Sequence, residues 1–209
     1  MTITCKRLTP ALWPAVEKLF GANGACGGCW CMYWRTQKGE RWEDLKGARA
    51  KRRLKELVSS GRARGVLAFD GGEPVGWASV GPRIDYAKLD RSPSFACDDA
   101  ASVWSIPCFF VRAGHRGQGV ARALLAEAEE LAREHGAPCL EGYPLRPKSD
   151  GRYPAAFAWT GTRSLFDLAG FAVAGNSEGG KQRVRKALSL DRDRAKKASR
   201  KTTARKKAP

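Results

Sequence analysis

Two groups of residues in this sequence have types and spacings suited to chemistry. The first is Ala113-Gly114-His115-Arg116-Gly117-Gln118-Gly119, which follows the apolar run Val103 to Arg112 and precedes an amphipathic stretch that begins at Val120. Glycines at such a junction let backbone N–H groups turn inward with no Cβ in the way. A helix start adds unpaired donors and partial positive charge, which suits a phosphate or pyrophosphate. Arg112 and Arg116 supply full charges beside it. The competing reading is packing alone, because the spacing matches neither the dinucleotide-binding nor the P-loop fingerprint. The second group is Cys26-Gly27-Gly28-Cys29-Trp30-Cys31. Its Cys-x-x-Cys spacing fits one corner of a tetrahedral zinc site, but the other corner is missing. The remaining cysteines stand singly and the histidines are His115 and His135. No metal site is therefore expected, and a redox role lacks the strand–helix context that activates such thiols.

The elements that must position these residues follow from periodicity. Residues 2–8 read as a strand, and Thr9 with Pro10 opens a helix running to Phe20. A second helix is expected over Trp42 to Ser60, carrying the basic run KGARAKRRLK. Val66 to Phe69 and Val75 to Val80 flank Asp70-Gly71-Gly72, a strong hairpin signal. Residues 81–101 read as irregular. Val103 to Arg112 is nearly all apolar, as a strand inside a sheet would be. From Val120 to His135 an apolar stripe of Val120, Leu124, Leu125, Ala128, Leu131 and Ala132 predicts an amphipathic helix, with Glu127, Glu129 and Glu130 mostly opposite. A strand over 139–145, a short helix over 163–168 and a closing strand pair at 171–174 and 182–188 complete the order. The strand–helix–strand unit preceded by a hairpin predicts a mixed α/β sheet.

The chain has 209 residues, with 38 Lys and Arg against 21 Asp and Glu, a formal charge of +17. Residues 35–64 and 191–209 each contribute +7 of it. Such a field attracts polyanions without naming one. The last stretch, 191–209, is poor in apolar residues and is expected to be a disordered basic tail. It can contact nucleic acid non-specifically through phosphates, and without aromatic residues it cannot stack on bases. No apolar run is long enough for a membrane span, and the first residues lack a signal-like apolar core. A cytoplasmic protein without membrane contact is expected.

The run Arg116-Gly117-Gln118-Gly119-Val120-Ala121 resembles the acyl-CoA-binding signature of the GNAT acetyltransferase superfamily, an Arg or Gln followed by x-x-Gly-x-Gly/Ala. Gly72-Glu73-Pro74-Val75-Gly76-Trp77 resembles that family's second hairpin. Ser164 to Phe171 is similar to its Leu-Tyr-x-x-x-Gly-Phe element, and Arg183 to Leu188 to its last strand. The resemblance implies one GNAT-like α/β domain over 1–190: a central mixed, mostly antiparallel sheet, splayed between two adjacent parallel strands and flanked by helices. It further implies that Phe109, Phe110 and Val111 face the pantetheine arm of acetyl-CoA, the co-substrate, and that Arg116, Gly117, Gln118, Gly119, Val120 and Ala121 hold its pyrophosphate. The expected reaction is direct acetyl transfer to a primary amine of a small-molecule or peptide acceptor. An oligomer, if formed, would be a dimer. The alternative is a non-catalytic GNAT-like protein that binds nucleic acid through its tail.

Catalytic groups depart from the family pattern. Where relatives carry a Tyr that protonates the leaving thiolate, this sequence has Phe166, which cannot donate a proton. Tyr143 and Tyr153 are the substitutes considered, each with a packing role as its rival. The strand position that holds a glutamate in some relatives holds Ser105. Glu141 then becomes the expected general base, since an apolar strand raises a carboxyl pKa toward the useful range. An arginine partner for Glu141 is the competing expectation. Trp30, Tyr33 and Trp34, between the first two helices, are expected to wall the acceptor site, with a simple lid over the core as the other reading.

Overall fold

The hairpin predicted at Asp70-Gly71-Gly72 anchors the sheet. Gly71 and Gly72 take φ values of +54° and +89° and join β2 (Gly65–Asp70) to β3 (Glu73–Pro82) in antiparallel register. In this computed structural model, residues 2–146, 155–175 and 180–188 are described. The other strands are β1 (Ile3–Arg7), β4 (Trp104–Val111), β5 (Cys139–Gly142), β6 (Ala172–Val173) and β7 (Val184–Ala187). The helices are α1 (Trp13–Phe20), α2 (Trp42–Leu45), α3 (Ala48–Ser59), α4 (Ala87–Asp90), α5 (Val120–Glu134) and α6 (Arg163–Leu168).

The strands form one sheet in the order β1-β2-β3-β4-β5-β7-β6. Every neighbouring pair is antiparallel except β4 and β5. That parallel pairing stops at Ile106 opposite Gly142, although β4 continues to Val111. The sheet is therefore mixed and splayed between two adjacent parallel strands, the architecture that the family resemblance implied.

Strand alternation divides the core in two. Val66 and Ala68 of β2 face α5, packing with Val120, Leu124, Leu125 and Ala128. Leu67 and Phe69 face the other way, toward Val16, Leu19 and Phe20 of α1 and Leu54 and Val58 of α3. Three sequence expectations need correction. The helix expected over 42–60 is interrupted by Gly47 at φ +81°, which separates α2 from α3. Glu129, expected on the solvent face, is buried, and Lys186 Nζ answers its charge at 2.6 Å. Residues 81–101 are ordered rather than loose: turns at Arg83–Asp85 and Pro93–Phe95 flank α4, and a third cluster of Trp34, Tyr86, Leu89, Phe95 and Tyr143 packs there. No helix among the described residues is long and apolar enough to cross a membrane. Tyr153, the domain boundary at 190 and the tail 191–209 lie outside the described residues.

Candidate active site

Where β4 outruns β5 it leaves one edge unpaired. The N–H of Arg112 donates to Val75 O of β3 at 2.9 Å. Alternation then sends the N–H and C=O groups of Phe109 and Val111 toward the gap left by β5. Trp34 closes the inner end of that gap, its Nε1 donating to Pro107 O at 3.0 Å. The outer end opens into a cleft of about 580 Å³, whose floor is Phe109, Phe110 and Val111. Its far wall is Trp159, Gly161, Thr162, Ser164 and Leu165, with Ala25 and Cys26 at the rim.

The glycine loop forms the mouth. A turn at Ala113–His115 leads into Gly117 and Gly119, at φ +73° and +82°. These left-handed values favour glycine at both positions, and they aim the chain into α5. Arg116 Nε donates to Val111 O at 3.1 Å and Gln118 Nε2 to Gly114 O at 2.9 Å, which ties the loop to itself. Among the described residues no carbonyl accepts from the N–H groups of Gly117, Gln118 or Gly119. The first N–H groups of α5 have no partner within the helix either. His115, in the same wall, has a buried Nδ1 with no hydrogen-bond partner, while its Nε2 lies 3.7 Å from Asp70 Oδ2. Unanswered donors beside Arg116 and Arg122 make a cradle for an anion. Of the nine residues expected at a cofactor, eight line this cleft; Gln118 does not line it but closes the loop.

The residues expected to do acid–base work sit elsewhere. Glu141 is wholly buried, and guanidinium groups occupy its carboxylate. Arg83 Nη1 donates to Oε1 at 2.9 Å, Arg183 Nη1 to Oε2 at 3.0 Å, and Arg185 Nη2 to Oε2 at 2.6 Å. A carboxylate so engaged has no lone pair to offer an ammonium, so the arginine-partner reading fits and the general-base reading does not. Tyr143 belongs to the same network: its hydroxyl donates to Glu141 Oε1 at 2.9 Å and accepts from Arg83 Nη1 at 2.6 Å. Burial first, and the neighbouring carboxylate next, push this phenol well above its ordinary range. It holds its proton inside the protein, away from the cleft. Phe166 is wholly buried against Phe109 and Phe171, and its ring edge occupies the space that a Cβ on Gly142 would need.

The aromatic wall also needs correction. Trp30 is a core residue, stacked on Trp13 at 6.0 Å and edge-on to Phe20 at 5.4 Å. Trp30 and Cys31 have φ values of +43° and +51°, backbone strain of about 1–3 kcal/mol each that their burial sustains. Trp34 is buried, and Tyr33 is half-buried between Trp34, Trp42 and Trp159. Of this aromatic group only Trp159 reaches the cleft. Sequence reasoning missed Trp159 and Thr162, because nothing in their local spacing distinguishes them, and it marked the segments of Cys26 and Ser164 without placing either residue at this cleft; folding alone brings the four together along it.

The cysteine cluster resolves into different environments. Cys26 is exposed. Burial pushes the Cys29 thiol up to about 12. Cys31 Sγ lies 2.9 Å from Cys108 Sγ and accepts from Trp77 Nε1 at 3.0 Å. Among the described residues no group of three or more His, Cys, Asp or Glu is arranged to hold a metal ion.

Comparison with known proteins agrees with this geometry. The model of the acetyltransferase (GNAT) family matches residues 29–143, and the chain belongs to that family. Solved structures share the fold at low identity. One is yncA of Salmonella typhimurium, determined with its cofactor acetyl-CoA, at 17% identity and TM-score 0.54, covering 92% of this chain and 96% of that one. Another is a ribosomal-protein-alanine N-acetyltransferase of Brucella melitensis, at 21% identity and TM-score 0.52, covering 88% and 99%. A third is a phosphinothricin acetyltransferase of Sinorhizobium meliloti in complex with acetyl-CoA, at 16% identity and TM-score 0.53, covering 90% and 89%. No curated protein sequence matches the chain significantly.

Proposed function

We propose that the protein is an acetyl-CoA-dependent N-acetyltransferase that transfers the acetyl group to a primary amine by direct attack in a ternary complex. The observation that carries this reading is the continuous path from the unpaired edge of β4 to the open start of α5. On this reading Phe109 and Val111 pair through their backbones with the extended pantetheine arm, as an added strand would. The N–H groups from Arg116 through Ala121 hold the pyrophosphate, and Arg122 adds charge. Acetyl-CoA in two of the similar structures supports the same co-substrate here.

A backbone N–H aimed into the gap, such as that of Val111, stabilises the oxyanion that develops as the amine attacks. Glu141 and Tyr143 keep the strands in place and do not exchange protons with substrate. With Phe166 buried, the hydroxyl of Ser164, which lines the cleft, relays one proton: it donates to the leaving thiolate as the C–S bond breaks and takes the proton that the attacking nitrogen loses on forming the amide. Thr162 Oγ1, 3.2 Å from Ser164 Oγ, is committed to capping α6 through the Leu165 N–H.

Calorimetric titration with acetyl-CoA tests the reading, comparing wild type with Ala121→Trp, which places an indole at the cleft mouth without altering a positive-φ glycine. Micromolar binding lost by at least about 100-fold in a variant of unchanged helicity, equivalent to roughly 2.7 kcal/mol, supports it. Equal affinity in both proteins, or no binding by the folded wild type, overturns it.

A further inference from the structure

A second cleft of about 470 Å³ shares no lining residue with the first. It is bounded by the loop before α2 (Met32, Arg35 and Gln37), by Arg53, Glu56 and Leu57 of α3, by Gly61, Arg62 and Arg64, and by Ile84 and Asp85 after β3. Its volume is that of a small-molecule site.

The charge balance inside it is incomplete. Arg35 is only 5% exposed, and its Nη2 is buried without a hydrogen-bond partner among the described residues. Among the described residues its Nη1 makes only long contacts, 3.4 Å to Asp85 O and 3.6 Å to Asp85 Oδ2. The guanidinium is nevertheless held in one plane, 4.4 Å above the ring of Tyr86. Ser79 fixes that ring in turn, 3.0 Å from the Tyr86 hydroxyl. Arg53 is satisfied by Glu40 at 2.6 Å. Arg62 bonds only the Ser60 hydroxyl, and Arg64 sits over the Trp104 ring, so neither has a carboxylate partner among the described residues. Glu56 is drawn toward Arg52, which is not a lining residue.

A buried donor with nothing to bond is costly unless something occupies it in use. A planar guanidinium fork, fixed by stacking and flanked by two more, matches the oxygens of phosphate or carboxylate. Met32, Leu57 and Ile84 give the same cleft an apolar side for the body of such a ligand. We infer that this cleft binds a small anionic molecule through Arg35, Arg62 and Arg64, recognising a phosphate or carboxylate group. The site does not depend on the acetyltransferase reading.

The test is calorimetric titration of the full chain with inorganic pyrophosphate and, separately, with citrate. Both probes are run on the Ala121→Trp background, so that the start of α5 is blocked. Saturable binding of either probe, weakened at least tenfold by Arg35→Met, is the expected result, and the stronger probe identifies the recognised group. Arg62→Gln with Arg64→Gln, both at the less buried rim, should weaken the same binding several-fold and serves if Arg35→Met does not fold. Absence of binding by both probes, or binding unchanged in these variants, overturns the inference. Because neither readout uses acetyl-CoA, failure here is distinguishable from failure of the enzymatic proposal.

Discussion

The two ends of the β4–β5 junction handle polar groups in opposite ways. At the paired end, Glu141 is wholly buried and three arginines converge on it, with Tyr143 and Ser105 completing the network. At the splayed end, glycine N–H groups, a helix start and His115 Nδ1 are left without partners among the described residues. A buried charge whose bonds are all filled is architecture, because it cannot accept a ligand without first breaking the fold. Donors left unfilled beside a cavity are where a ligand gains most. The most tempting catalytic carboxylate in the sequence is therefore locked into the scaffold, and the proposed site instead uses a loop without an acidic side chain.

Substitutions can break or sharpen this contrast. The largest effect should come from Arg83→Met, which takes one of the three guanidiniums from buried Glu141 and one donor from the Tyr143 hydroxyl. Unfolding in urea should show a loss of about 3–5 kcal/mol, as for other broken buried ion pairs. A loss within 0.5 kcal/mol would place Arg83 outside the scaffold. Smaller in effect is Ser164→Ala. It should lower kcat by about tenfold, below the usual roughly 100-fold or more of acid–base catalysis because a CoA thiolate is already a good leaving group, while the KM for acetyl-CoA stays level. An unchanged kcat would pass the proton donation to water. Next comes chemical labelling: iodoacetamide should modify exposed Cys26 well before Cys29, Cys31 or Cys108, by peptide mapping. Saturating acetyl-CoA should slow the Cys26 reaction several-fold if the cleft is the coenzyme site.

The smallest effect is electrostatic. Hydrogen bonds from Arg185 hold the Asp99 carboxyl below its usual value. A depressed folded-state pKa contributes stability above the unfolded value, about 3.9, and that contribution fades as pH falls through the folded value. Asp99→Asn should therefore flatten the acid limb of the stability curve below about pH 4 and leave neutral-pH activity unchanged. A steeper acid limb would contradict the assignment.

Ser105 illustrates what local reading yields and where it stops. Its place in an apolar strand is legible, and so is the absence of a carboxylate there. Its role as a donor to the Tyr143 hydroxyl at 2.8 Å needs β5 laid beside it. Likewise 81–101 reads as irregular because its prolines and mixed charges have no period. Arg83, which bonds Glu141, Tyr143, Asp90 and Phe95 O, was invisible there. The aromatic run at 30–34 looked like a wall because ring chemistry is the same in a core and in a cleft. Burial separates the two, and burial is not a local property.

The hairpin, the amphipathic helix α5 and the glycine loop were all legible from neighbouring residues. Turn dihedrals, helical periodicity and the donors of a helix start are set within a few positions of one another. Which carboxylate is neutralised, which tryptophan is packed away and which serine faces the cleft were decided only in three dimensions. Those outcomes rest on contacts between residues far apart in the chain, such as Glu141 with Arg83, Arg183 and Arg185. Desolvation and ion pairing act through space, and no spacing in the sequence records which groups the fold will bring within 3 Å of each other.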